Sequence, residues 1–230
     1  MAQTTALPRA RGQWVPMSFA EFLDWAPPGG RTERTDGEGI FYTTASDRHQ
    51  AIVLLLASVL DALTRVFGSG RVGAAPFAMR FEPGGPHREP DVLFVRGANL
   101  DRWTAQRLIG PADLVVKVLS EDTAGEDRGR KPAQYAALGV AEYLMVDARP
   151  GRSEFAFLRR DPAGAYQPVL PDGHGRYHSE VITGFWLDPA WFRRDPLPDP
   201  EDLLLAIAPD AYEAWILTKI RAHREASDAP

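Results

Sequence analysis

The stretch Asp47–Phe67 constrains the fold more than any other part of the chain. Ile52, Leu55, Leu56, Val59, Leu60, Leu63 and Val66 recur at the helical period, and Gly68 follows as a stop. The spacing predicts one long helix, capped at Asp47, with an apolar face broad enough to require a sheet beneath it. Residues 114–119 supply a matching strand. They are apolar throughout except for Lys117, as in a central strand covered on both faces. Residues 72–81 read as a strand interrupted at Pro76, followed by a turn over 83–86 and a short strand over 91–95.

The remaining elements complete a mixed pattern. Ser18 and Glu21 form a capping box opening a short helix whose apolar face is Phe19, Phe22 and Leu23, ended by Pro27, Pro28, Gly29 and Gly30. A hairpin is expected between Glu33 and Phe41 around Asp36 and Gly37. A helix is expected over 127–138, starting no earlier than about residue 128 because Pro132 is tolerated only in a first turn, and stopped by Gly139. Paired strands over 142–146 and 153–159 flank a turn at Pro150 and Gly151. The fold class is α/β: a mixed sheet flanked by helices, with a C-terminal helical tail.

Three segments are expected: an arm over 1–17, the main domain over 18–195, and a proline linker with helical tail over 196–230. The tail is amphipathic through Leu203, Leu204 and Ile207 and, after Pro209, through Trp215, Ile216 and Ile220. It is expected to cover an apolar patch of its own domain or to form a homodimer with a second copy. Residues 1–12 lack the apolar core of a signal peptide. No apolar run nears the ~18 residues of a membrane span. A cytoplasmic protein without membrane partners is the expectation.

Composition removes most chemistries. The net charge is −5, so any contact with nucleic acid needs a local basic patch. The 26 basic residues include only three lysines, Lys117, Lys131 and Lys219. Without cysteine there is no disulfide, thiolate metal site or cysteine nucleophile. The five histidines show no metal-ligand pairing on one helix, and neither a phosphate-binding glycine loop nor a nucleophile elbow is present. Asp91 opening a strand, Lys117 in the next strand, and Asp127 with Lys131 at the start of the following helix are left. Phosphodiester cleavage uses such a set: carboxylates hold a divalent metal, and a lysine steadies the charge that develops. Strand-end and helix-start acids also serve as turn and cap residues, and that reading stays open.

Three runs carry a family resemblance: "RTERTDGEGIFYTTASDRHQAIVLLLASVLDAL", "EPDVLFV" and "PADLVVKVLSEDTAGEDRGRKPAQYAALGVAEYLMVD". Over roughly residues 18–193 the chain resembles the restriction-endonuclease-like Uma-two family, which has the PD-(D/E)XK nuclease fold. The resemblance implies a DNA endonuclease that hydrolyses phosphodiester bonds with Mg²⁺ or Mn²⁺. It implies Asp91 as metal ligand, Glu33 as supporting acid and Lys131 as catalytic lysine from the following helix. His49 and Asp127 match further recurrent positions.

One position departs. Where the family carries "VEVLS", with the second metal-binding glutamate, this chain has "VKVLS", and the position is Lys117. A cation there repels Mg²⁺. Asp113 and Glu121 lie about 13 Å away along the strand, too far to substitute, whereas Glu89 lies about 7 Å from Asp91 and is better placed. A lysine inside an apolar strand is costly to bury unpaired, which makes Asp91 its expected partner. Arg128, Arg130 and Lys131 form a basic cluster for DNA phosphates, with Arg102 and Arg107 a second; acids beside the first also fit an ordinary mixed surface. Three readings follow: a metal-dependent DNA endonuclease, a catalytically inactive relative that binds nucleic acid or protein, and a structural role through the tail.

Overall fold

A computed structural model describes residues 14–25, 32–35, 37–41, 46–81, 85–119, 130–149, 152 and 154–227. The helices are α1 (Phe19–Trp25), α2 (Asp47–Phe67), α3 (Arg130–Ala137), α4 (Pro200–Ile207) and α5 (Pro209–Ser227). The strands are β1 (Val15–Pro16), β2 (Thr32–Thr35), β3 (Glu38–Phe41), β4 (Gly70–Ala74), β5 (Ala78–Arg80), β6 (His87–Arg88), β7 (Val92–Arg96), β8 (Arg107–Ile109), β9 (Leu114–Leu119), β10 (Glu142–Asp147), β11 (Phe155–Arg160), β12 (Tyr166–Pro168), β13 (Tyr177–His178) and β14 (Trp186–Leu187).

Among the described residues these strands make two six-stranded sheets and a small pair, β13 with β14. The central sheet runs β12-β11-β10-β9-β7-β4, with β9 and β10 parallel and β7 antiparallel to β9. The second runs β1-β3-β2-β6-β5-β8. The α/β class and mixed sheet hold as read from sequence, but the single sheet is in fact two. The apparent strand over 72–81 splits at Pro76 because β4 pairs with β7 in one sheet while β5 pairs with β6 and β8 in the other. A proline lacks the N–H a continuous ladder needs.

The long helix behaves as its periodicity requires. Ile52, Leu55, Leu56, Val59, Leu60 and Leu63 are buried against Val92, Phe94, Leu114, Val116, Val118 and Leu144 on one face of the central sheet. It is also long and apolar enough to cross a membrane, but here that apolar face is spent on the sheet. Ser46, not Asp47, is the cap: its side chain accepts from the His49 amide, and Asp47 begins the first turn. Gly68 closes the helix at φ 60°, the left-handed conformation glycine adopts without strain.

The opposite face of the central sheet carries Leu93, Val95, Val115, Leu119 and Tyr143, packed with Met79 and Leu108 of the second sheet and Tyr135 of α3. Strand alternation puts Lys117, two residues from Val115 and Leu119, on this face. Lys117 therefore lies between layers rather than at the surface.

The Ser18–Glu21 capping box forms reciprocally, Ser18 N donating to Glu21 Oε2 at 2.7 Å and Glu21 N to Ser18 Oγ at 3.2 Å. The buried face of α1 is Phe22 and Trp25, whereas Leu23 is exposed. Val15 and Pro16, within the segment expected as an arm, pair with β3. Leu203, Leu204 and Ile207 of α4 join the core beside α2, while no residue of α5 is buried. The glycine-proline ending of α1, the turn at 83–84 and that at Pro150 and Gly151 lie outside the described residues.

Candidate functional site

Sheet register brings the first two site residues together. Val92 pairs with Val116 in an antiparallel ladder, and Asp91 N donates to Val116 O at 3.1 Å. Continuing that ladder one residue sets Asp91 opposite Lys117, and opposed residues on one face are near neighbours. Lys117 Nζ lies 3.5 Å from Asp91 Oδ2. The pairing expected from sequence is present.

Glu33 arrives from the other sheet. Arg34 pairs with His87, so the next antiparallel step sets Glu33 against Arg88, and Arg88 NH1 lies 3.8 Å from Glu33 Oε2. Lys117 Nζ is 3.7 Å from Glu33 Oε1, and Lys131 Nζ is 3.5 Å from Glu33 Oε2. Lys131 reaches inward because it shares a helix face with buried Tyr135, four residues on. His49, in the first turn of α2, approaches from the opposite side, its Nε2 3.5 Å from Asp91 Oδ1.

These side chains are at most 3% exposed, and Arg88 not at all. Burying an isolated ion costs several kcal/mol, which only close opposite charge and hydrogen bonds offset. Here every carboxylate oxygen of the two acids is engaged. Glu33 Oε1 faces Lys117, and Oε2 faces Lys131 and Arg88. Asp91 Oδ1 faces His49, while Oδ2 faces Lys117 and accepts the Val118 amide at 2.8 Å. The result is a closed ionic cluster.

Glu89 takes a different part from the one its position implies. Its carboxylate meets His87 Nε2 at 3.2 Å, and its carbonyl accepts from Lys117 Nζ at 3.3 Å. It therefore helps to hold the lysine through its main chain, and its carboxylate is turned to His87. Asp127 and Arg128 lie outside the described residues, and Arg130 is the first residue of α3. Arg102 and Arg107 lie elsewhere, around β8, with Arg107 lining a separate surface cleft.

Sequence reasoning missed Arg88. It ties Glu33 to α3 by donating from NH2 to Gln134 Oε1, three residues after Lys131 on the same helix. The dense charge of the run His87, Arg88, Glu89 ahead of Asp91 was the available signal.

A divalent ion requires oxygen ligands with lone pairs to give. Asp91 Oδ2 gives a lone pair to the Val118 amide, every oxygen of Glu33 and Asp91 has a cationic or imidazole nitrogen within 4 Å, and Lys117 Nζ lies between the two acids. Among the described residues no group of three His, Asp or Glu side chains could hold a metal ion. The donor set does not fit Mg²⁺ or Mn²⁺.

Comparison with known proteins gives a consistent picture. Residues 19–190 match the Uma2 family, described as "Putative restriction endonuclease". A crystal structure of "a putative nuclease belonging to DUF820" from Anabaena variabilis ATCC 29413 superposes with a TM-score of 0.63 at 17% identity, covering 77% of this chain and 97% of that one. At that identity the likeness is one of fold. No curated protein matches the chain.

Proposed function

Because the chain belongs to the Uma2 family of restriction-endonuclease-like proteins, we propose that it is a nucleic-acid-binding member whose catalytic metal position has been taken over by a lysine. The observation that carries this reading is Lys117 Nζ at 3.5 Å from Asp91 and 3.7 Å from Glu33. The ammonium neutralises Asp91, which would hold a metal, and the supporting acid Glu33. To enter, a divalent ion must displace a tethered cation whose effective concentration is about millimolar or higher. Lys131 remains beside Glu33, but with no metal to activate water it has no developing phosphorane charge to stabilise. Phosphodiester hydrolysis is therefore lost while the nuclease scaffold persists.

One observation favours a second reading, a working DNA endonuclease. Glu33, Asp91, Lys131 and His49 are gathered as the family resemblance implies, so only Lys117 stands in the way. Calorimetric titration with Mn²⁺ separates the two. No saturable heat at millimolar metal is expected of the native chain, and sub-millimolar binding that Asp91→Asn removes overturns the proposal.

The tail adds a second element. Helix α5 leaves Leu217 and Ile220 exposed beyond the core-packed Tyr212, and we place a homodimer contact there.

A further inference from the structure

The second sheet has two faces of opposite character. Glu33, Arg88, Met79 and Leu108 point inward, and the residues that alternate with them point outward. On the outer side Arg34, His87, Arg80 and Ile109 form one cross-strand row, with Arg107 two residues before Ile109. A cleft of about 940 Å³ opens over the Arg80–Ile109 end of this row, lined by Phe19, Phe81, Arg80, Arg107, Thr104 and Ile109, the last 54% exposed.

Arg80 and Arg107 sit close enough that the second depresses the pKa of the first, after the larger effect of burial. Among the described residues neither has a carboxylate partner within ion-pair distance. Arg80 instead stacks over the Phe19 ring at 4.4 Å. Stacking fixes the guanidinium plane while leaving its N–H fork free to donate. A second cleft of about 380 Å³ adjoins the first, the two sharing Thr104 and Ala105 in their walls. There Arg71 lies 4.5 Å over Trp103, itself stacked on Phe77 at 4.5 Å. Two arginines held on aromatic faces, Arg80 and Arg71, together with the neighbouring Arg107 thus line two adjoining clefts, jointly one groove, whose described lining carries no acid.

We propose that this groove binds the phosphodiester backbone of a nucleic-acid strand, with Arg80 and Arg107 clamping one phosphate region and Arg71 the next. The inference rests on the nucleic-acid reading above but concerns a different surface from the buried ionic cluster. Bidentate guanidinium–phosphate contact supplies the missing counter-charge for the Arg80–Arg107 pair. Because the rings already carry arginines, recognition is of the backbone and tolerant of sequence.

The test is fluorescence anisotropy with labelled single-stranded and duplex oligonucleotides in EDTA. Affinity is expected to fall at least tenfold in Arg80→Gln/Arg107→Gln and again in Arg71→Gln, with Arg224→Gln on α5 unchanged. With three phosphate contacts, raising salt from about 50 to about 200 mM should weaken duplex binding roughly 40-fold and single-strand binding roughly 20-fold. The form bound tighter identifies the substrate strand state. Undiminished binding by the folded triple variant overturns the groove but leaves nucleic-acid binding intact. Failure of the native chain to bind either form overturns both. Metal-dependent cleavage by the native chain overturns the loss of catalysis alone.

Discussion

Lys117 Nζ lies 3.5 Å from Asp91 Oδ2 on the neighbouring strand, and that same oxygen accepts the Val118 amide at 2.8 Å. The aspartate is thus fixed by the main chain of the strand that carries its cation. Moving the lysine aside disturbs a built pair, not a solvated contact, because both side chains are only 1% exposed.

Glu33 is the centre of the cluster, since Arg88, Lys117 and Lys131 all converge on it. Glu33→Gln leaves those cations under-compensated and should cost about 3–5 kcal/mol. Asp91→Asn keeps an acceptor for Val118 N–H and leaves Lys117 paired to Glu33, so about 1–3 kcal/mol is expected. Urea denaturation at unchanged m-value measures both. An Asp91→Asn cost equal to or above that of Glu33→Gln contradicts the assignment.

Lys117→Glu replaces the intruding cation by a carboxylate between Asp91 and Glu33. Mn²⁺ should then raise the melting temperature of the variant but not that of the native chain. A metal present at a hundredfold excess over its Kd stabilises by about 2.7 kcal/mol, a readable shift. Equal shifts in both proteins, or none in the variant, contradict the account.

Much of this cluster was legible beforehand, and the reasons are local. Lys117 announced itself as a charge inside an otherwise apolar strand, and Asp91 as the residue opening its neighbour. Glu33 and Lys131 came from the family resemblance, since their meeting depends on the second sheet and α3 packing on the same face, which no local pattern encodes. Arg88 stayed hidden for that reason: β6 is two residues long and has no periodicity to read. The same non-local pairing made β4 and β5 look like one strand. Of the groove only Arg107 was read, and with Arg102 as its partner, because Arg71, Arg80 and Arg107 are scattered along the chain and only β5–β8 pairing gathers the last two.

The two tail helices should separate by truncation. Ending the chain after residue 198 removes Leu203, Leu204 and Ile207 from the core, exposing apolar surface and lowering the melting temperature sharply. Ending it after Ala208 removes only the partly buried Ala211 and Tyr212 from the core, so it should lower that temperature less than the longer truncation and halve the solution mass measured by light scattering. An unchanged mass rules out the α5 dimer.

One surface turn carries a pH signature. Asp172 accepts the His174 and Arg176 amides at 2.8 and 3.0 Å and meets His178 Nε2 at 2.8 Å. These bonds, His178 first, hold its carboxyl well below the usual range. A depressed carboxylate stabilises the folded turn above the unfolded value near ~3.9, and that contribution fades only as pH falls through the lower folded value. Amide-exchange protection at His174 and Arg176 should therefore persist at neutral pH and through mild acid, then fall. In Asp172→Ala, which removes the acceptor oxygen, it should be weak throughout. Equal protection in both proteins at neutral pH contradicts this.

Plasmid nicking in the presence of Mn²⁺ tests the central claim most directly, comparing the native chain, Lys117→Glu and Asp91→Asn. Supercoiled plasmid should survive the native chain and Asp91→Asn alike, and be nicked by Lys117→Glu. Robust nicking by the native chain, abolished in Asp91→Asn, would show that Lys117 yields its place to a metal and that the centre is a working nuclease.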